Sequence, residues 1–280
     1  MKRVLVTGAT GNLGRAVIAA LRNKGLTARA AGRDTKKLNA IGGETAVFDY
    51  ANHSTASTAL HDVDALFLMA PPLDAEAPAK LKPVIDLAKS RGVRHIVLNS
   101  AFGVDAVEQA PLRVCERYLI GSGVPYTILR PNFFMENFST GFLAPMVKMG
   151  GIYLAAENAK TSFISVVDIA EVAATAFAKT LTSKEYNLTG PEALDHTQVA
   201  ALISQVSGKR VTYQAIPEEA MLNGLRGTGM PEGAAQYVGV LYSAVRAGYA
   251  SAVTPDVETV TGKKPTDFET FVRQNATASA

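Results

Sequence analysis

Three glycines spaced three apart, Gly8, Gly11 and Gly14, stand in the segment Val4-Leu5-Val6-Thr7-Gly8-Ala9-Thr10-Gly11-Asn12-Leu13-Gly14. An apolar run precedes them and an amphipathic one follows. The first glycine lets the chain turn sharply off a strand, the second lets an anion approach the backbone, and the third lets a helix pack closely on a sheet. The free N–H groups of the first helical turn then face the anion. The flanks take this beyond a bare turn, because Arg3–Thr7 reads as a buried strand and Ala16, Val17, Ala20 and Leu21 recur at helical spacing. The chemistry implied is the binding of a dinucleotide through its pyrophosphate. Past the next candidate strand comes Gly32-Arg33-Asp34-Thr35-Lys36-Lys37. An acid at such a strand end holds both ribose hydroxyls, whereas a guanidinium forks onto a 2′-phosphate. Arg33 fills that position with Lys37 close behind, and Asp34 reads as the N-cap of the following helix. NADP(H) is therefore expected in preference to NAD(H).

The elements that position these residues follow from the apolar pattern. Candidate strands are Arg3–Thr7, Thr27–Gly32, Glu44–Phe48, Ala65–Met69, His95–Asn99 and Tyr126–Leu129. Helices are expected over Leu13–Asn23, Ala79–Ser90 and Leu112–Gly121, with Gly25, Gly92 and Gly123 at or just past their ends. This βαβ alternation predicts an α/β fold, a Rossmann-type doubly wound parallel sheet. After Arg130-Pro131 the regularity loosens into strands at Phe163–Val166, Glu185–Leu188 and Val211–Gln214 and helices at Ile169–Lys179 and Thr197–Val206. The 280 residues thus read as a single unit, with 1–131 mainly the dinucleotide-binding subdomain and 132–280 mainly a smaller carboxy-terminal α/β lobe that binds substrate.

In such a sheet the ligand lies over the carboxyl ends of the strands. Asp49 ends the third and reads equally as an adenine contact or an exposed loop acid. Met69-Ala70-Pro71 follows the fourth as an apolar shelf for a ribose or the nicotinamide. Ser100 and Phe102 follow the fifth and would face the reacting end. Pro131-Asn132-Phe133-Phe134 follows the sixth and leads to Asn137; its composition suits either a pocket for a flat, apolar substrate or ordinary core.

Composition narrows the class. Hydrophobic residues make up 48% and charged ones 19%, the balance of a compact protein, and the 28 Lys and Arg are scattered among 25 Asp and Glu, which argues against a nucleic-acid surface. No apolar stretch is long enough to span a bilayer and the amino-terminal strand has no signal-peptide cleavage pattern, so no membrane association is expected and the cytoplasm is the expected compartment. A single cysteine, Cys115, excludes an internal disulfide; in helical text it reads as packing, although Arg113 and Arg117 beside it would favour a thiolate. No His, Cys or carboxylate cluster has metal-ligand spacing, so no metal is expected. His53, His61, His95 and His196 read as surface or core residues, and Asp168 as a helix N-cap.

The glycine segment, Gly92-Val93-Arg94-His95-Ile96-Val97, the run from Gly123-Val124-Pro125-Tyr126 to Met135-Glu136-Asn137-Phe138, and Gly262-Lys263-Lys264-Pro265-Thr266-Asp267-Phe268-Glu269-Thr270-Phe271 together resemble the NmrA-like branch of atypical short-chain dehydrogenases/reductases. Within that branch the sequence is similar to the bacterial NAD(P)H-dependent quinone and triphenylmethane-dye reductases. The resemblance implies a Rossmann-type domain, a small lobe, a substrate cleft between them, and cofactor contacts at Thr7, Gly8, Thr10, Gly11, Asn12, Leu13, Arg33 and the segment after the fourth strand. Ordinary short-chain dehydrogenases pair a tyrosine with a lysine four residues on, the lysine lowering the tyrosine pKa for proton exchange. Counting outward from Gly123-Val124-Pro125-Tyr126 puts that pair at Glu108 and Leu112, which cannot do this work. No catalytic acid or base is therefore assigned. What remains is hydride transfer to an acceptor that needs little proton assistance, a quinone or an electron-poor dye. The branch also contains non-catalytic redox sensors that bind NAD(P) and regulate a partner protein, which is the alternative. A homodimer is compatible with either.

Overall fold

The computed structural model describes residues 2–277. In chain order the elements are β1 (Arg3–Val6), α1 (Asn12–Asn23), β2 (Thr27–Gly32), α2 (Thr35–Asn39), β3 (Glu44–Val47), α3 (His53–Ala59), β4 (Ala65–Met69), α4 (Ala77–Ser90), β5 (Ile96–Asn99), α5 (Pro111–Gly121) and β6 (Tyr126–Pro131). Then follow α6 (Ala144–Lys148), β7 (Gly151–Leu154), α7 (Val166–Lys179), β8 (Lys184–Leu188), α8 (His196–Ser207), β9 (Thr212–Ala215), α9 (Glu218–Gly227), α10 (Glu232–Arg246), α11 (Asp256–Thr261) and α12 (Phe268–Thr277).

Seven strands form one sheet in the order β3-β2-β1-β4-β5-β6-β8, every pairing parallel. The order reverses between β1 and β4, which is where a doubly wound sheet opens a crevice. The central strands read as uninterrupted Val, Leu, Ile and Phe because both faces are covered. Leu66, Leu68, Ile96, Leu98 and Ile128 are fully buried on one face with Leu81 and Ile85 of α4 and Leu119 of α5. On α1, Val17, Ile18 and Leu21 are buried, and α7 packs along this helix, with Lys24 Nζ 2.7 Å from Glu171 Oε1. The expected helix-end glycines are left-handed, with φ of 71° at Gly25, 74° at Gly92 and 78° at Gly123.

The chain divides into two compact units, the first comprising residues 1–131, 166–188 and 256–262, the second 132–165, 189–255 and 263–280. The division expected at residue 131 thus marks only the first crossing. Val166–Leu188 and Asp256–Gly262 return to the first unit because β8 hydrogen-bonds to β6 and extends the sheet, with α7 and α11 packed on one another. In the second unit β7 and β9 form a two-stranded parallel sheet, α8 packs against α12, and α9 against α10. The strand expected at Phe163–Val166 is not one. Ile164 makes a single bridge with Phe134, and Val166 already begins α7. Asp168 accordingly lies in the first turn of α7, two residues inside its start, rather than at the N-cap. No helix among the described residues is long and apolar enough to cross a membrane.

Two histidines are enclosed in these cores. In the first unit His95 Nε2 lies 2.8 Å from Thr127 Oγ1. In the second, His196 stands among Phe138, Phe163, Tyr213 and Tyr242, and neither ring nitrogen has a hydrogen-bond partner among the described residues. Burial pushes both imidazoles down to about 4. Between that value and the free value of about 6.5 the unfolded chain binds protons that the folded chain does not, so stability is present above pH 6.5 and is lost as pH falls toward 4. Each histidine contributes a slope of about 1.4 kcal/mol per pH unit in that window. Urea titrations at stepped pH should show the slope reduced by one such contribution in His196→Phe.

Candidate functional site

At the end of β1 the backbone accounts for two of the three glycines, each for its own reason. Gly8 has φ +62°, and a side chain there would run into Met69, whose Sδ lies 2.6 Å from the position of an added Cβ. Gly14 has no room, since an added Cβ would sit 2.3 Å from Gly8 O and 2.7 Å from Ala9 Cα. Gly11 is different. The nearest atom to an added Cβ is Gly8 O at 3.5 Å, so the protein itself does not demand a glycine there. Gly11 also forms the N-cap of α1 without a side-chain cap. The start of α1 thus has the open, anion-ready form that a pyrophosphate fits. Asn12 follows in the first turn, whereas the Leu13 side chain is buried in the core, so any ligand contact at Leu13 runs through its backbone.

Thr7 turns its side chain inward. Its hydroxyl donates to Phe67 O at 3.2 Å and accepts from Met69 N at 3.0 Å, so it ties β1 to β4. The Tyr50 hydroxyl donates to Met69 O. Both backbone groups of Met69 are thereby fixed, and the half-buried shelf Met69-Ala70-Pro71 leaves the sheet at one defined angle. Beside β2, Thr10 lies against the end of the strand, its Cγ2 3.8 Å from the position of a Cβ on Gly32, and its carbonyl accepts from Arg15 Nε at 3.1 Å. Arg33 is exposed just past that end. Asp34 caps α2 as expected, accepting from Lys37 N at 3.0 Å. The Lys37 ammonium lies 3.7 Å from the same carboxylate, so its charge is shared with Asp34. Asp49 is a turn acid: its Oδ1 accepts from Ala51 N at 3.0 Å and its N–H donates to Thr55 Oγ1.

At the end of β5 two buried polar atoms, Asn99 Oδ1 and Ser100 Oγ, find no hydrogen-bond partner among the described residues. A buried polar group left unpaired costs free energy, so a pair of them at a strand end fits a polar ligand. Ser100 N donates to Leu129 O at 2.7 Å and Phe102 N to Pro131 O at 3.0 Å, pinning this loop to β6. Glu108 is exposed and pairs with Arg113 at 2.9 Å and Arg117 at 3.6 Å, and Leu112 packs against the core. Neither position holds a proton donor. Cys115 is buried and its thiol is pushed up to about 12 by that burial, which makes it a packing residue. Among the described residues no group of three or more His, Cys, Asp or Glu side chains could hold a metal ion.

The structure brings Thr7, Gly8, Thr10, Gly11, Asn12, Leu13, Gly14, Arg33, Lys37, Asp49, Met69, Ala70, Pro71, Ser100, Phe102 and Pro131 to the carboxyl ends of the strands of the first unit. Asn132, Phe133, Phe134 and Asn137 belong to the second unit. There Asn132, expected among the substrate contacts, is a structural clamp. Its Nδ2 donates to Ser162 Oγ and Ala250 O, both at 2.8 Å, and its Oδ1 accepts from Phe133 N. Phe133 and Phe134 are half-buried, the ring of Phe133 5.8 Å from that of Tyr242. Asn137 is half-buried against Gly141, where an added Cβ would meet its Oδ1 at 3.0 Å.

Comparison with known proteins fits this geometry. The model of the NmrA-like family matches residues 1–272. The chain belongs to the NmrA-like family. Among its NmrA-like relatives, an NAD(P)H azoreductase from Xenophilus azovorans is 32% identical, over 98% of each chain. The crystal structure of the Citrobacter sp. triphenylmethane reductase complexed with NADP(H) superposes with a TM-score of 0.83 at 25% identity, covering 97% of this chain and 99% of that one. The NADPH complex of quinone oxidoreductase QOR2 from Escherichia coli gives 0.84 at 26% identity, over 97% and 99%.

The three NmrA-like glycines predict a separation of effects. Gly14→Val forces a branched side chain onto backbone and should cost upward of about 3 kcal/mol of stability. Gly11→Val meets only an ordinary van der Waals contact with Gly8 O, and should keep its urea midpoint close to wild type while losing dinucleotide affinity by about tenfold or more. Calorimetric titration of both variants, beside their unfolding curves, checks the contrast.

Proposed function

We propose that the protein is an NADPH-dependent reductase of quinone-like or other electron-poor aromatic acceptors. The coarser part, an NAD(P)H-dependent oxidoreductase, is supported by relatives named for such activities across nearly the whole chain. When bound, the reduced nicotinamide supplies a hydride. The residues of this chain bind and orient it. The start of α1 meets the pyrophosphate, Arg33 reaches the 2′-phosphate with Lys37 and Asp49 nearby, and the Met69-Ala70-Pro71 shelf, Ser100 and Pro131 lie toward the nicotinamide end. Phe102, half-buried in the loop after β5, is the surface of the first unit proposed for a flat acceptor.

The observation that carries the acceptor class is the state of Glu108 and Leu112. One is an ion-paired carboxylate and the other a half-buried leucine packed against the core, so the positions of a Tyr/Lys pair deliver no proton to a developing alkoxide. An electron-deficient ring needs no such donor, since water completes the protonation.

Two measurements test this. Arg33→Ala should weaken NADPH by about 1.5–3 kcal/mol, the range for a charged hydrogen bond, and leave NADH nearly unchanged; equal losses would remove the 2′-phosphate role. Steady-state NADPH oxidation should exceed the protein-free rate with quinones or dyes, and Phe102→Ala should alter acceptor kinetics more than cofactor affinity. Tight NADPH binding with no turnover across the panel would instead support a sensor, and turnover with simple aldehydes or ketones alone would contradict both.

A further inference from the structure

The loop that follows β5 is held at its far end by an ion-pair network in the first unit. Glu116 on α5 is fully buried, and its two carboxylate oxygens accept from Arg130 Nε and Nη2, each at 2.8 Å. Arg113 Nη1 adds a third bond at 3.0 Å. Arg130, itself buried at the end of β6, continues to Glu185 on β8 and, through Nη1 at 3.3 Å, to Asp105 Oδ2. Arg113 continues to Glu108. Burial alone would raise the Glu116 carboxyl, but hydrogen bonds from Arg130 hold it below the usual carboxylate range. Ser100 Oγ lies near enough to help without meeting the geometry of a hydrogen bond.

Asp105 and Glu108 sit on the segment that joins β5 to α5, the segment that begins with Ser100 and Phe102. Its near end is fixed through Ser100 N to Leu129 O and Phe102 N to Pro131 O. Its far end is exposed, and its two carboxylates are anchored there, Asp105 on the buried Arg130 and Glu108 on the half-buried Arg113. Within it Gly103, at φ +78°, leads into a single 3-10 turn, Val104–Ala106, closed by Ala106 N donating to Gly103 O at 3.2 Å, so beyond this local turn the segment is tied to the sheet on its far side through Asp105. We infer that Arg130 and Asp105 are positioning residues, which act through the Ser100–Ala106 loop to hold the nicotinamide-facing end of the site in its binding form. This rests on the reading of that strand end under Proposed function, and extends it. Where other short-chain dehydrogenases carry a proton donor, this chain carries an anchor.

The physical effect is a change in population. A loop freed from its anchor spends only part of its time in the competent form, and apparent affinity falls by that fraction. Only a ligand that touches the loop pays for its reordering. Adenosine 2′,5′-bisphosphate, the adenine half of the cofactor, ends short of it and serves as the internal control.

The experiment titrates NADPH and adenosine 2′,5′-bisphosphate into wild type, Asp105→Ala and Asp105→Asn. Asp105 is exposed and Arg130 keeps Glu116 and Glu185, so both variants fold. In Asp105→Ala, NADPH affinity should fall about five- to tenfold and the emission of the bound reduced nicotinamide should shift toward that of free NADPH. The bisphosphate should bind as to wild type. Asp105→Asn retains an acceptor oxygen for Arg130 and should restore most of the difference. Unchanged NADPH affinity in Asp105→Ala, or an equal loss for both ligands, would overturn the inference. A wild-type chain that binds neither ligand would overturn the cofactor reading itself, a result distinct from wild type binding both with the Asp105 variants unaltered.

Discussion

At the end of β1 helix α1 comes so near that a Cβ on Gly14 would lie 2.3 Å from the Gly8 carbonyl oxygen. Everything at the strand ends takes its position from this contact. A helix held off by one methyl group would carry its first-turn N–H groups away from the sheet, and because α7 packs along α1, the displacement would spread to that layer too. The turn is closed from the other side by Met69, whose sulfur fills the space over Gly8. Thr7 and Tyr50 hold the Met69 backbone from its N–H and its carbonyl. Four side-chain and backbone decisions, made on β1, α1, β4 and the segment after β3, therefore converge on one geometry.

Away from the cradle, the sheet is controlled by charge. Taking a guanidinium and a carboxylate out of water is expensive, and the pair is tolerated only when its hydrogen bonds are complete. Arg130 and Glu116 meet that condition with a fork of two bonds at 2.8 Å. The result ties α5, β6 and β8 together at one point.

Much of this was legible in the sequence, for local reasons. The first six strands and the longer helices among them, α1, α4 and α5, announce themselves through period and punctuation, and Gly25, Gly92 and Gly123 do adopt the left-handed conformation their positions suggest. Asp34 also caps its helix as expected. The short α2, α3 and α6 and the four-residue β7 carry too few residues for a period to show. Phe163–Val166 has strand composition, but tertiary packing gives it one bridge and then a helix. The Arg130–Glu116 pair was invisible because a glutamate in helical text ordinarily faces water, and nothing local says that an arginine 14 residues on will meet it. Asn132 looked like a ligand contact because it stands among aromatic residues just past a strand. Its partners, Ser162 and Ala250, lie far away in sequence.

The path of the chain has a bearing on how the protein is made. The first unit takes its seventh strand from Lys184–Leu188 and a covering helix from Asp256–Thr261, after two excursions into the second unit. A nascent chain that has passed Pro131 holds six strands in order, yet β6 has an open edge and Arg130 has no Glu185. Long-range pairings of this kind form late and slowly. On the ribosome, the first unit is therefore unable to finish before most of the second has emerged, and a fragment ending near residue 131 would expose an unpaired parallel edge.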